Sequence, residues 1–366
     1  MASAQVHTVF DLFGPTEQIA VQRGLAEFRA GRPVLFAADD ALIAMPVDGA
    51  VSLQEFRQMR SAAPLRLAIT ARRAHALGIE ADGAVAVRLS GAEDLAKLLS
   101  LSADARVAQP LDAVPAGPAA AAAIDLAKLA ERLPALLVTD PARGRVANPG
   151  SLVRVEAEAV ARFRQHLADS LSIAATSLLP LDGVAALLVV FRDAIGGTPA
   201  ALMVGEPDFS GPVLVRLHSA CLTGDVFGSR RCDCGDQLKL AIARVAEAGG
   251  IILYLHQEGR GLGLANKTRA YRLQDLGLDT VDANVTLGFE DDERDYRVAA
   301  RMLQLLGCRR VMLLTNNPAK LAGLAAAGIE ICGRMPLQAP VKPENRRYLT
   351  ARAVRAGHCL DDLWKS

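Results

Sequence analysis

Three cysteines, Cys221, Cys232 and Cys234, fall in one polar segment, His218-Ser219-Ala220-Cys221-Leu222-Thr223-Gly224-Asp225 followed by Cys232-Asp233-Cys234-Gly235-Asp236-Gln237. The Cys-x-Cys pair can present both thiolates to one ion from a tight turn. A closed structural zinc site takes four protein ligands, whereas a catalytic site takes three and keeps a fourth position for water or substrate. Three thiolates therefore point to an open metal centre, and zinc suits a thiolate-rich site. Isolated cysteines more often simply pack in a core. Here Asp225, Arg230, Arg231, Asp233 and Asp236 surround them, which is no apolar core. The zinc-deaminase signature, which needs Pro-Cys-x-x-Cys beside its His-x-Glu, is not met.

Other residues suit phosphate chemistry. Arg216, Arg260, Lys267, Arg269, Arg294 and Lys320 stand near the ends of predicted strands, where cations can surround a polyphosphate. Any one of them alone reads as a solvated surface charge. Asp292 and Arg294 lie in a charged run, Glu290 to Arg294, which read blandly is a helix start. Thr315 precedes Asn316-Asn317-Pro318, a helix start whose backbone N–H groups can hold phosphate oxygens. Tyr271, beside Ala270 and Leu273, is compatible with a core or an interface. The loop Gly259-Arg260-Gly261-Leu262-Gly263 is weak evidence by itself, since glycine-rich turns are common.

These groups need a scaffold, and 366 residues allow two domains with full cores. The hydrophobic fraction of 51% and charged fraction of 22% are those of a soluble globular protein. A formal net charge of +1 gives no global basic field, so neither nucleic acid nor a membrane surface is expected as a partner. Met1 to Leu12 carries no secretory pattern, and no stretch stays apolar for the about 18 residues of a spanning helix. Six cysteines in a chain this size do not read as a disulfide scaffold, so a reducing cytoplasm is expected.

The texture changes along the chain. Residues 1 to about 140 are rich in alanine and leucine, with a helix ending near Ala30, a strand at Val34–Ala37, a helix from Ala119 to about Leu133 and a buried strand at Leu136–Thr139. Asp140-Pro141 and Asn148-Pro149-Gly150 punctuate a connector, and Val155 to Leu171 has helical spacing. Beyond Ile173, strands are predicted at Val184–Phe191, Ala200–Gly205, Val213–Leu217, Ile251–Leu255 and Arg310–Leu314. Helices are predicted at Gln237–Ala248 and Tyr296–Leu306. Strands alternating with helices predict an α/β (α+β) chain in two domains, whose polar residues gather at strand carboxyl ends.

The segments His218 to Gln237, Gln257 to Leu264, Asn266-Lys267, Arg269-Ala270-Tyr271, Asp279-Thr280-Val281, Asp292-Glu293-Arg294-Asp295 and Leu314-Thr315-Asn316-Asn317-Pro318 together resemble GTP cyclohydrolase II, in order and with nearly constant spacing over about 174 to 340. The resemblance implies hydrolysis of GTP, with C8 released as formate and pyrophosphate cleaved off, as the first step of riboflavin biosynthesis. It implies one Zn2+ per subunit on Cys221, Cys232 and Cys234, Mg2+ with the triphosphate, and a homodimer. A metal at such a site lowers the pKa of a water to about 7, which suits attack on an aromatic ring.

Residue by residue, Asp292 matches the family's proton acceptor. Arg294 matches the arginine that attacks the α-phosphate, a demanding role for a group whose pKa exceeds 12. Tyr271 matches a proton donor or hydrogen-bond partner at the ring being opened. Arg216, His218, Ser219, Gln237, Glu258, Gly259, Arg260, Thr280, Thr315 and Lys320 match GTP contacts, with Glu258 facing the guanine edge. Two positions depart from the family: Ala220 stands where glutamate is common, and His256 where arginine is frequent.

Residues 1–172 faintly resemble 3,4-dihydroxy-2-butanone 4-phosphate synthase through Arg29-Ala30-Gly31-Arg32-Pro33-Val34, Asp39-Asp40 and Ala122-Ala123-Ile124-Asp125-Leu126-Ala127. The family's acidic cluster should follow Asp40, where Ala41-Leu42-Ile43-Ala44-Met45 stands instead. Its Gly-His-Thr-Glu segment is likewise replaced after Gly117 by Pro118 and alanines. The expectation is a degenerate, non-catalytic domain ahead of a cyclohydrolase domain at 173–366. Two other readings stay open: a related purine-nucleotide cyclohydrolase of another pathway, and a GTP sensor without turnover. Tyr271, Asp292 and Arg294 together argue against the sensor, which needs only the binding residues.

Overall fold

A computed structural model describes residues 14–49, 64–105, 111–141, 152–181, 183–360 and 363. The predicted break at Asn148-Pro149-Gly150 and the first twelve residues lie outside them. Two compact units divide the contacts. The first runs to Arg164 and takes in Asn284–Glu290; the second is Gln165–Ala283 with Asp291–Ser366.

In the first unit, helix α1 (Thr16–Arg29) precedes β1 (Val34–Ala37) and β2 (Leu42–Pro46). Then come β3 (Arg66–Ile69), α2 (Ala71–Ala76), β4 (Val85–Arg88), α3 (Leu95–Ala103) and β5 (Ala113–Pro115). Helix α4 (Pro118–Leu129), β6 (Ala135–Thr139), β7 (Val153–Glu156) and α5 (Ala157–Asp169) follow, the last running across the division of contacts at Arg164. The strands form one sheet in the order β5-β4-β3-β6-β2-β1-β7, and β1–β7 is its parallel pair. Gly24 lets α1 press onto this sheet, since a Cβ there would meet Val155 Cγ2 at 2.7 Å.

Buried Arg73 ties this unit together. Its guanidinium donates to the carbonyls of Ser100, Leu101 and Asp104 at the end of α3, and to that of Thr286. A cation at a helix C-terminus satisfies orphan carbonyls and opposes the dipole. Burial pushes its pKa down to about 10, so it stays charged.

The second unit opens with β8 (Ser172–Leu181), β9 (Val184–Arg192), β10 (Ala200–Val204) and β11 (Val213–Ser219). It continues through α6 (Cys234–Ala248), β12 (Gly250–Leu255), α7 (Leu264–Asp275) and α8 (Thr280–Thr286), whose last residues from Asn284 count with the first unit. Last come α9 (Arg297–Leu305), β13 (Arg310–Leu314), α10 (Pro318–Ala326), β14 (Glu330–Met335) and α11 (Pro343–Ala356). The sheet order is β14-β13-β11-β12-β10-β9-β8. The first four strands are mutually parallel and the other pairs antiparallel.

Alternation along these strands sorts the core. Val213, Val215, Ile251, Leu253, Val311 and Leu313 pack with Ala299, Met302, Leu303 and Leu324 of α9 and α10. Leu214, Ile252 and Leu314 pack with Ala241 and Val245 of α6 on the other face. Arg216, in register with Leu214 and Ile252, therefore meets the start of α6. The carboxyl ends of β11, β12 and β13 gather the polar residues, as the α/β reading predicts.

Candidate active site

Past the end of β11 the chain turns through Cys221 into a single wide turn, Leu222–Val226. Asp225 shapes it. Its carboxylate accepts from the Cys221 N–H at 3.0 Å and the Tyr254 hydroxyl at 3.0 Å, and lies 3.1 Å from His218 Nε2. Cys234 is the first residue of α6, so Cys-Asp-Cys forms the approach to that helix.

The three sulfurs lie within 4.8 Å of one another, with Cys221 and Cys232 Sγ atoms 3.6 Å apart. Tetrahedral ligation at about 2.3 Å per sulfur requires sulfurs about 3.8 Å apart. Gly224 makes the approach possible: a Cβ there would sit 3.1 Å from the sulfurs of Cys221 and Cys232 and from Cys234 Cβ. Donor set and spacing fit zinc.

Lys267 of α7 places its Nζ 3.1 Å from Cys221 Sγ, 2.9 Å from Thr223 Oγ1 and 2.6 Å from Glu258 Oε1. Hydrogen bonds from Cys232 and Cys234, with the Lys267 charge, hold the Cys221 thiol far below its usual range. Its bond to Cys221, with burial, pushes Cys232 up to about 11, and Cys234 rises too. One thiolate thus forms readily, and ligation must deprotonate the other two. Tyr271 OH lies 3.5 Å from Thr223 Oγ1, and the Arg231 guanidinium sits 4.5 Å from its ring centroid. Burial raises its pKa, so it carries its proton at neutral pH.

A second cluster holds cations. Arg216 donates to the Leu314 carbonyl at 3.0 Å and to Gln237 Oε1 at 2.6 Å, and Gln237 Nε2 donates to Asp233 at 2.5 Å. Burial lowers the Arg216 pKa to about 10, so it too stays charged. Lys320 donates to the Leu217 carbonyl at 2.6 Å; burial, then the charges of Arg216, Arg294 and Arg352, push its pKa well down. Arg260 pairs with Asp291. Arg260 and Gly259 both lie in the left-handed region, at φ 63° and 61°. For arginine that costs about 1–2 kcal/mol.

Arg294 bonds Asp292 through Nε at 2.7 Å and Nη2 at 2.6 Å, and reaches Ser219 Oγ at 3.4 Å. Burial works against both charges, but the pairing wins: the Asp292 pKa falls and that of Arg294 rises.

The structure thus sorts the residues read from the sequence. Cys221, Cys232, Cys234, Tyr271 and Glu258 meet at the thiolate end, with Lys267, which belongs there and not among the phosphate-facing cations. At the strand ends Arg216 meets Gln237, Arg294 meets Asp292 and Ser219, Arg260 meets Asp291 and Lys320 meets the Leu217 carbonyl. Both Glu258 oxygens are engaged, one by Lys267 and the other by the Leu222 N–H at 2.8 Å. Arg269 donates to Asn266 on its own helix. Thr280 heads α8 and lines an open cavity of about 620 Å³ with Arg230, Arg231 and Tyr348.

The helix start after Thr315 does not offer its amides as expected. Thr315 Oγ1 accepts from the Asn317 N–H at 3.0 Å and Asn317 Oδ1 from the Ala319 N–H at 2.9 Å. Asp225, Asp233 and Arg352 were not singled out from the sequence. Asp225 and Asp233 look like ordinary loop acids there, whereas Arg352 follows Tyr348 by one helical turn, between Pro343 and Gly357.

A thiolate triad and a buried cation cluster at the carboxyl ends of parallel strands define a hydrolase centre suited to a phosphorylated substrate. The family model for GTP cyclohydrolase II matches residues 174–336. A GTP cyclohydrolase-2 of Azospirillum brasilense is 41% identical over 365 residues, covering 93% of each chain. One from Xylella fastidiosa (strain 9a5c) is 38% identical, covering 97% of this chain and 91% of its own. The chain belongs to the GTP cyclohydrolase II family, and is a hydrolase of it. The riboflavin biosynthesis protein RibBA of Bacillus mycoides is 55% identical over 162 residues, 44% of this chain and 41% of that one. The crystal structure of RibBX, a two-domain 3,4-dihydroxy-2-butanone 4-phosphate synthase from A. baumannii, covers 85% of this chain and 98% of its own, at TM-score 0.31 and 17% identity. That likeness is too weak to bear on either fold.

Proposed function

We propose that the chain hydrolyses GTP to a diamino-ribosylaminopyrimidinone phosphate, formate and pyrophosphate, with zinc on Cys221, Cys232 and Cys234. The carrying observation is that one unit holds both a thiolate cage of zinc dimensions and a buried cluster of cations. Riboflavin biosynthesis is the pathway that the RibBA relatives support.

Zinc at the cysteines supplies a Lewis acid and a source of nucleophile at neutral pH. The protein's residues bind and orient. Arg216, Arg260, Arg294 and Lys320 take the triphosphate together with Mg2+, and His218, Ser219, Gln237, Gly259, Thr280 and Thr315 complete the GTP contacts. Tyr271, protonated and beside the thiolates, donates a hydrogen bond or a proton to the opening ring. Glu258 anchors Lys267 and the Cys221 turn. Asp292 remains ionised and holds Arg294 in its charged form. Arg294 therefore acts on the α-phosphate as a positioned cation, because that pairing opposes the deprotonation a nucleophilic arginine requires.

The first half is a non-catalytic domain in this reading. Asp40, part of the synthase-like pattern, accepts from the Ala119 N–H at 3.2 Å at the start of α4. A homodimer is favoured by β8, whose Leu178 is 78% exposed on an apolar edge strand. Six free cysteines agree with a reducing cytoplasm, and no helix among the described residues is long and apolar enough to cross a membrane.

Incubation with GTP and Mg2+ should release formate and pyrophosphate in equal amounts. GTP bound and recovered intact would make the protein a sensor. Ribulose 5-phosphate should give no product, and any dihydroxybutanone phosphate would return catalysis to the first domain.

A further inference from the structure

We propose that Arg352, on the C-terminal helix α11, is a further substrate-binding residue that contacts the polyphosphate of the nucleotide. The proposal rests on the reading of this site as a GTP site. Helix α11 spans Pro343–Ala356 and begins beyond residue 336, where the family match ends. Arg352 nonetheless reaches the cation cluster.

Its Nη1 lies 3.1 Å from Asp233 Oδ1, between Cys232 and Cys234. Through Asp233 and Gln237 it joins Arg216, so one hydrogen-bonded chain runs Arg352-Asp233-Gln237-Arg216. Its guanidinium sits 5.0 Å from the Tyr348 ring centroid, one turn back on the same helix.

The helix is held at both ends. Lys342 at its start pairs with Asp236 of α6, and past Gly357 the Cys359 N–H donates to the Asn316 carbonyl at 3.0 Å, just after β13. Arg352 is thus fixed in place, with its side chain only 12% exposed.

Three observations point to an anion. First, Arg352 Nε, Arg216 Nε and Arg260 Nη2 are buried and without a hydrogen-bond partner, and Arg216 is only 5% exposed. Buried donors are ordinarily satisfied. Second, the charges do not balance. Asp233, Asp291 and Asp292 pair with Arg352, Arg260 and Arg294, whereas the bonds of Arg216, which stays charged, run to a carbonyl and an amide. Unpaired buried charge is costly. Third, the cations feel one another: after burial itself, the Arg352 charge is the next influence lowering the pKa of Arg216, of Arg260 and of His358, which falls to about 2. A polyphosphate satisfies the orphan donors and relieves this repulsion.

The zinc-loaded full-length chain should be titrated calorimetrically with GTP, GMP and inorganic tripolyphosphate. Arg352→Gln should weaken GTP and tripolyphosphate by about 10- to 100-fold, the range for one hydrogen bond to a charged group. GMP should lose far less, and KM should rise more than kcat falls. Because R352Q also strands Asp233, the double variant D233N/R352Q separates the roles. A residue that only neutralises Asp233 is dispensable there, so recovery of wild-type affinity overturns the proposal, as does undiminished tripolyphosphate binding by R352Q. In either case GTP hydrolysis by the wild type keeps the reading of the site intact. A wild-type chain binding neither GTP nor tripolyphosphate overturns both.

Discussion

Gly224→Ala tests whether the thiolate cage is built for a metal. The added methyl would sit 3.1 Å from two sulfurs and from Cys234 Cβ, so its neighbours must give by a few tenths of an ångström. A simple thiol pocket absorbs such a shift by turning a side chain. A metal cage cannot, since ligand distances tolerate only about 0.2 Å. Disturbing the groups that aim metal ligands typically costs about 10- to 100-fold in affinity, or about 1.4–2.8 kcal/mol. G224A should therefore lose zinc to a chromophoric chelator at about 10- to 100-fold lower chelator strength than the wild type. Gly211→Ala is the control, since a Cβ there meets nothing nearer than 3.9 Å. Circular dichroism should show both variants folded. A folded G224A that holds zinc as tightly as the wild type refutes the argument.

Lys267→Met leaves the Glu258 carboxylate, 13% exposed, without its ion-pair partner. It should destabilise by about 3–5 kcal/mol in urea melts, with K267M/E258Q recovering a good part. Asp292→Asn should lower kcat, because Arg294 loses its charged partner. The Asp292 pKa is depressed in the fold, so its stabilisation is full above the unfolded value of about 3.9 and fades as pH falls through the folded one. The stability gap between wild type and D292N should thus be constant near pH 7 and close below about pH 4; a gap that widens on acidification contradicts the pairing. Arg73→Met removes four bonds to carbonyls and should cost about 3 kcal/mol or more in thermal melts, with zinc content unchanged.

Much of the second unit was legible because its strands are short apolar runs ending in turn residues. Val184–Arg192, Ala200–Val204 and Arg310–Leu314 lie where such runs predict them. Strand β8 escaped, since nine of its ten residues are exposed and no alternation marks a buried face. Helix α6 starts at Cys234, ahead of the apolar period that begins at Gln237, because its first turn carries Cys234 and polar residues and not core residues. The roles of Asp225 and Asp233 depend on partners far along the chain, Tyr254 and Arg352, so local pattern could not reveal them. The amides after Thr315 differ from the sequence expectation for a nearer reason. Asn317 is a strong N-cap residue, and its side chain takes the amide that was expected to face phosphate.

The central claim, that the thiolate centre and the cation cluster act on one GTP molecule, is tested most directly with GTP carrying carbon-13 at C8. In one NMR time course with the zinc-loaded protein and Mg2+, the C8 signal should pass to formate while an equal amount of pyrophosphate appears. Cys232→Ser, which removes a ligand but none of the cations, should still bind tripolyphosphate and release no formate. Pyrophosphate release with C8 left in the ring, or formate release undiminished in C232S, would contradict the account.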